Sequence, residues 1–218
     1  MTISATFAKY AEYYDLFHHK KPYRKECEFV YKWADKPKSI LDLGCGTAQY
    51  WKYWPKVDIN GAELSQAMIN KSPYKSKIFQ CDAQNLPPFK REYDLVTMLF
   101  DVINYIPAHD WWARLPLKKG GFLIFDIWDA EKIKRQGFTH SLRKFDGISR
   151  KVTPLHFTWS RDIELKIQIN DGVSQFSENH KMYLYSHDDL LEFAGNAFHL
   201  IDIKETQSWQ KWYKFQKR

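Results

Sequence analysis

Little in this chain suits an oxidising or membrane setting. Its three cysteines, Cys27, Cys45 and Cys81, form no CxxC pair and leave one over, so neither a disulfide framework nor a zinc site is expected. No apolar run approaches the ~20 residues needed to cross a bilayer. Met1-Thr2-Ile3-Ser4 has neither the basic start nor the apolar stretch of a secretory signal. The expected compartment is therefore a reducing cytoplasm, with no membrane partner. Repeats, low-complexity segments and flexible linkers are also missing. His18-His19 lacks a third metal ligand at sensible spacing and reads as a pair of surface histidines, so no metal is expected.

Length and composition admit one sizeable α/β core: 218 residues, 44% hydrophobic and 27% charged, are those of an ordinary globular protein. Aromatic residues reach 17%, with nine Trp, so rings must fill the core or line a pocket. Trp111-Trp112 and the Trp209/Trp212 pair read as packing anchors. The net charge of +7 is spread along the chain in short groups such as Lys20-Lys21, Lys118-Lys119 and Lys214 to Arg218. That scatter reads as a solvated surface rather than a nucleic-acid footprint, which would need a continuous basic face.

Residues 5 to 34 have helical spacing (Phe7, Tyr10, Tyr14, Phe17, then Tyr23 to Trp33). Strands are expected at 39–43, 57–63, 77–81, 93–99 and 121–127, with helices at 49–54 and 65–70 between them, which implies βαβ units and a parallel sheet. Residues 148–157, 161–170 and 178–185 alternate apolar and polar side chains, as antiparallel strands do. A helix capped by Ser186, with Asp188 and Asp189 in its first turn, precedes strands at 198–205 and 211–216. The expected organisation is a single α/β domain over 1–218. It comprises a helical lid (1–36), a nucleotide-binding half (37–130), an inserted antiparallel flap (131–186) and a C-terminal helix and strands (187–218).

Four segments carry chemistry. Ile40-Leu41-Asp42-Leu43-Gly44-Cys45-Gly46-Thr47-Ala48 is a buried strand running into a glycine turn, where the backbone comes close to a ligand. It departs from G-x-G-x-x-G, and Asp42 before the glycines would repel a pyrophosphate but tolerates a cationic ligand. Glu63 in Gly61-Ala62-Glu63-Leu64-Ser65 ends the second strand, placed to accept both hydroxyls of a ribose. Asp82 in Cys81-Asp82-Ala83 suits an adenine amino group, and Phe100, after the fourth strand, suits the face of an adenosine.

In this order the four segments resemble those of the class I S-adenosylmethionine-dependent methyltransferases, and the resemblance spans nearly the whole chain. It implies a Rossmann-like, mostly parallel sheet whose last strand is antiparallel, and S-adenosylmethionine as cofactor with S-adenosylhomocysteine as product. Lys118-Lys119-Gly120-Gly121 looks like the family's Leu-Lys-Pro-Gly-Gly turn. Ala48 stands where a third glycine is usual, and Lys119 replaces the proline. Tyr13-Tyr14-Asp15-Leu16 with Lys21 and Tyr23 looks like the lid of members that methylate amino sugars and related metabolites. By that similarity Tyr14 and Tyr23 close over the methionine end of the cofactor. The expected cofactor-binding set is Tyr14, Tyr23, Asp42, Gly44, Cys45, Gly46, Glu63, Leu64, Asp82, Ala83 and Phe100.

The implied activity is methyl transfer to N or O of a small polar metabolite, an amino sugar or nucleotide sugar. An RNA methyltransferase and a non-catalytic S-adenosylmethionine-binding protein are the alternatives. No Asn/Asp-Pro-Pro-Tyr segment follows the fourth strand, which argues against amino-methylation of DNA bases. The catalytic candidates are His180, Asp126 and Tyr14, with His140 as a further base. Glu178 and His180 stand two apart on an expected strand and so share a face, as a base and its orienting carboxylate would. They equally read as strand residues facing water, and Tyr14 as a core tyrosine.

Overall fold

The computed structural model describes residues 7–107, 110–138, 140–157, 162–206 and 209–218. The first six residues of the lid, and Arg161 at the start of an expected strand, lie outside them. Five parallel strands form the sheet: β1 (Ser39–Leu43), β2 (Asp58–Glu63), β3 (Ile78–Gln80), β4 (Tyr93–Met98) and β5 (Leu117–Trp128). Two further strands, β10 (Phe198–Glu205) and β11 (Gln210–Lys217), complete it in the order β10-β11-β5-β4-β1-β2-β3, with β11 antiparallel to both neighbours. The chain order reverses between β1 and β4, and a crevice opens at the carboxyl ends of strands at such a switch point.

Alternation along β1 sends Leu41 and Leu43 to one face and Ile40 and Asp42 to the other. On the first face Trp112 packs against Phe125, Phe198 and Phe215 at 5.4 to 6.2 Å between ring centres. There α5 (His187–Ala194) covers the sheet, started by a capping box between Ser186 and Asp189. On the second face α2 (Tyr23–Trp33) buries Cys27 and Val30 against Ile40, Leu95 and Trp212. A short helix, α3 (Gln66–Lys71), capped by Ser65, follows β2.

Beyond β5 come α4 (Ala130–Gln136) and an antiparallel sheet of β6 (Ser141–Phe145), β7 (Ile148–Phe157), β8 (Asp162–Asn170) and β9 (Gln175–Tyr183). Along β8 the buried residues Ile163, Leu165, Ile167 and Ile169 alternate with partly exposed ones. They share a cluster with Tyr10 and Phe17 of the lid and Ile133 of α4. Three expectations need correction. The flap has a fourth strand, β6, whose five residues are all exposed and so show no apolar period. The 49–54 segment is a 3-10 turn over Gln49–Lys52, and β5 begins four residues early because Lys118 to Gly121 bulge out between paired Leu117 and Phe122.

One flap side chain holds three amides of the lid. Glu178 on β9 accepts from the backbone N–H groups of Phe7 (2.9 Å), Lys9 (2.7 Å) and Tyr10 (3.1 Å). Behind these turns lies α1 (Tyr14–His18). Burial alone would raise the Glu178 carboxyl, but nearby His180 and the N–H groups of Tyr10 and Lys9 outweigh burial and hold it below the usual carboxylate range. With a depressed folded pKa, the stabilisation is complete above the ordinary carboxylate value and is lost as pH falls through the depressed one. Glu178→Ala should weaken the lid's attachment by about 2 kcal/mol, the worth of a charge-assisted bond. Amide exchange at Phe7 to Tyr10 should quicken while the strands of the seven-stranded sheet keep their protection; unchanged exchange at those amides would rule the latch out.

Candidate active site

Three cavities meet where Tyr14 of α1 and Phe100, just past β4, line all of them. The largest, about 1160 Å³, lies between lid, flap and sheet. The others, about 120 and 30 Å³, sit at the carboxyl ends of β1 to β3.

All eleven residues expected to hold a cofactor line one or both of the small cavities. Gly44 and Gly46 line both; Glu63, Leu64, Asp82 and Ala83 line the larger of the two, and Tyr23, Asp42 and Cys45 the smaller. The glycine turn exists because its neighbours crowd it. Gly44 has φ +63°, and a Cβ there would lie 2.5 Å from Val102 Cγ1. Ala48, where the third glycine is usual, adopts the left-handed conformation at φ 60°. A cost of about 1 kcal/mol for an L side chain is accepted there.

The carboxylates are held individually. Glu63 accepts from the N–H groups of Gly46 and Ser65, both at 2.8 Å, and burial raises it above the ordinary range against the pull of these donors. The N–H of Leu64 is a third donor, and the carboxylate's roughly four lone-pair sites leave room for a ligand hydroxyl. Asp42 accepts from Trp51 Nε1 (2.8 Å) and Thr97 Oγ1 (2.7 Å), and burial pushes it up to about 6. Asp82 accepts from the N–H of Gln84 at 2.9 Å, an Asx turn that fixes its direction.

The three catalytic candidates do not come together. Tyr14 stands at the junction of the cavities, and burial raises its hydroxyl well above the ordinary tyrosine value. His180 lines none of the three. It is wholly buried, with Nδ1 3.1 Å from the Tyr105 hydroxyl, Nε2 3.6 Å from Glu178 Oε2, and the Phe7 ring 4.7 Å away. The face it shares with Glu178 is the one beneath the lid, not one facing water. Asp126 also lines none of them: fully buried, it accepts from the N–H of Phe100 at 2.6 Å and from Gln210 Nε2 at 2.8 Å. His140 is exposed and likewise lines none of the three.

Several wall residues were not among the expected site residues. His18 is buried rather than on the surface, correcting the expectation for the His18-His19 pair; His19 is exposed. His18 Nε2 lies 3.0 Å from the Tyr10 hydroxyl, and its ring is 4.6 Å from that of Tyr14 and 4.9 Å from that of Phe100. Burial, helped by Arg150, Arg143 and Lys21, pushes its pKa down to about 3, so the ring is neutral. Its place four residues after Tyr14, on the same helix face, was the available clue. Asp101 lines the large cavity next to Phe100, and Arg143 and Arg150 face it from the flap. Lys21 Nζ sits 4.3 Å from the centre of the Phe100 ring. Among the described residues, the flap contributes only to the large cavity.

Residues 40–119 match the sequence profile of the methyltransferase-domain family. No curated protein matches the chain. Solved structures match it along most of its length. An S-adenosylmethionine-dependent methyltransferase from Clostridium acetobutylicum ATCC 824 superposes with a TM-score of 0.78 at 22% identity, covering 94% of this chain and 96% of that one. The sugar N-methyltransferase KedS8 from Streptoalloteichus gives 0.70 at 22%, covering 94% and 92%. CalS10, an amino pentose methyltransferase from Micromonospora echinaspora with bound S-adenosylmethionine, gives 0.70 at 16%, covering 92% and 93%. Residues 40–119 thus resemble a methyltransferase domain in sequence, and the whole chain shares the Rossmann-like fold of these solved structures.

Gly44→Ala tests the glycine turn. The added Cβ meets both a left-handed φ and the Val102 side chain, so a loss of about 2 kcal/mol or more in unfolding free energy is expected. Adding Val102→Ala should restore part of it. A single mutant as stable as the parent would show that the turn tolerates a side chain.

Proposed function

We propose that the chain transfers the methyl group of S-adenosylmethionine to a nitrogen or oxygen of a small polar metabolite, an amino sugar or a nucleotide sugar. One observation carries this reading. The eleven expected cofactor residues surround two small cavities that share the walls Tyr14 and Phe100 with a large flap-covered one. The donor set suits the cofactor: a buried carboxylate with spare lone pairs for the ribose diol, Asp82 for the adenine amine, and Asp42 for the cationic methionine end. The sulfonium supplies a methyl carbon whose leaving group is a neutral thioether and needs no acid.

The protein's own task is placement. Holding the acceptor in line beside the donor pocket supplies effective molarity, which is worth up to several kcal/mol of barrier. Phe7 and Tyr14 cover the donor side and exclude water, and Phe100 separates it from the acceptor side. The large cavity supports a polar acceptor: Lys21, Arg143 and Arg150 suit phosphate oxygens, while the carboxylates of Glu26 and Asp101 suit amine or hydroxyl hydrogens. Two proteins of the same fold are described as sugar methyltransferases, CalS10 and KedS8.

The test is isotope-labelled donor with a panel of amino sugars, hydroxy sugars and their nucleoside diphosphate forms, read by mass spectrometry. A one-methyl mass gain on a sugar is expected; labelling of RNA alone, or preferential binding of NAD, would overturn the proposal. By calorimetry, Glu63→Ala should weaken donor binding about ten- to a hundred-fold, for loss of charge-assisted bonds worth roughly 1.5–3 kcal/mol. Affinity equal to the parent's would remove Glu63 from the ribose. Donor affinity should also decline as pH drops through about 6, where free Asp42 takes up a proton and stops attracting a cation. A flat profile, or one unchanged by Asp42→Asn, would place the cation elsewhere.

A further inference from the structure

The chain leaving β4 turns sharply at Phe100 and Asp101, consecutive non-glycine residues in the left-handed region at φ 71° and 64°. The turn distributes three neighbouring residues among the cavities: Phe100 walls all three, Asp101 the large one, and Val102 the donor pocket. Asp101 thus stands on the acceptor side, one residue from the wall of the donor side. Behind it is a second carboxyl, Asp126, without exposed surface, and a single amide joins the two. Gln210 Nε2 donates to Asp101 Oδ1 at 3.1 Å and to Asp126 Oδ2 at 2.8 Å.

We propose that Asp101 is the acceptor-side base of the methyl transfer, and that Asp126, linked to it through Gln210, is the positioning residue that holds the pair's proton. The proposal rests on the methyltransferase reading and deepens it. As the acceptor's nitrogen or oxygen bonds to the methyl carbon, the electron pair of the breaking carbon–sulfur bond stays on sulfur. The acceptor's N–H or O–H proton goes to the Asp101 carboxylate and from there to water in the open cavity.

Two carboxyls raised by burial and joined through one amide resist ionising together, so the pair shares a proton above the ordinary carboxylate range. Burial raises both, and for Asp126 the Asp101 charge adds to it and pushes it well up. Asp101 is the one that retains charge: 8% exposed where Asp126 has none, it accepts from Gln210 and Trp128 and feels the Lys21 ammonium. The other ionisable groups around the pair are Glu26 and Tyr14 on the lid, Tyr50 after β1 and Tyr105 after the turn. Of the other groups at the junction, His18 is a weak base because burial pushes its pKa down to about 3, and Tyr14 holds its proton.

Asp101→Asn is a suitable probe because asparagine also tolerates the left-handed conformation. Carbon-13 NMR of labelled aspartate carboxyls in the full chain, without acceptor, should show two separated steps, the upper one well above the ordinary carboxylate range. The upper step should disappear in Asp126→Asn. With the sugar found in the screen, Asp101→Asn should lower kcat about 100-fold or more while donor affinity stays within about twofold. Gln210→Leu should lower kcat about tenfold at unchanged KM. Both carboxyls titrating in the ordinary range would overturn the proposal whether or not any sugar is turned over. So would an Asp101→Asn variant with kcat within about threefold of the parent. Loss of the methyltransferase reading would be seen separately, as absence of donor binding in calorimetry.

Discussion

The arrangement depends on one hydrogen bond, from the N–H of Phe100 to the buried Asp126 carboxyl. A backbone donor at a left-handed turn has no strand or helix partner, and leaving it unpaired in a core costs a few kcal/mol. Asp126 satisfies it from the neighbouring strand and so fixes the direction in which the chain leaves β4. Three placements result. Phe100 is set among the cavities, Val102 is pressed against Gly44, and Asn104 reaches a position where it donates to Tyr183 O (2.6 Å) and accepts from Trp128 N–H (3.0 Å). Five residues thereby register the donor turn, the flap and the end of β5 against one another.

Other polar contacts serve the same registration from further out. Asp94 at the start of β4 accepts from the N–H groups of Lys38 and Ser39, both at 2.9 Å, and pairs with Lys118 at 2.7 Å, tying the open ends of β1, β4 and β5. On the lid, Asp15 accepts from Thr47 Oγ1 (2.7 Å) and Gln49 Nε2 (2.5 Å), which locks α1 to the glycine turn. Charged side chains here act mainly as acceptors for fixed N–H and O–H groups rather than as surface ion pairs, whose worth is small.

The sheet and the donor side were legible because their signals are local. An apolar strand, a glycine turn and an acid at a strand end are each complete within about ten residues, and the topology does the rest. The acceptor side draws on α1, the turn after β4, β6, β7 and Gln210, which are distant in sequence, so no short window holds its pattern. Asp126 reads as a catalytic candidate, yet nothing near it in sequence reveals that its partner is the N–H of Phe100. Likewise His18 reads as polar in isolation; its burial follows from Tyr10, Tyr14 and Phe100 converging on it. The alternation that put Glu178 and His180 on one face was sound, but only the fold says which face the lid covers.

Phe7 bears on both sides of the molecule, since its ring lines the donor pocket and the large cavity alike, while its N–H is held by Glu178 and its carbonyl accepts from Ser65 Oγ. A single segment is therefore shared by the walls of two compartments. Displacing Phe7 from either wall breaks the same pair of hydrogen bonds, so the shapes of the two compartments are energetically linked through a flap carboxylate and one serine hydroxyl.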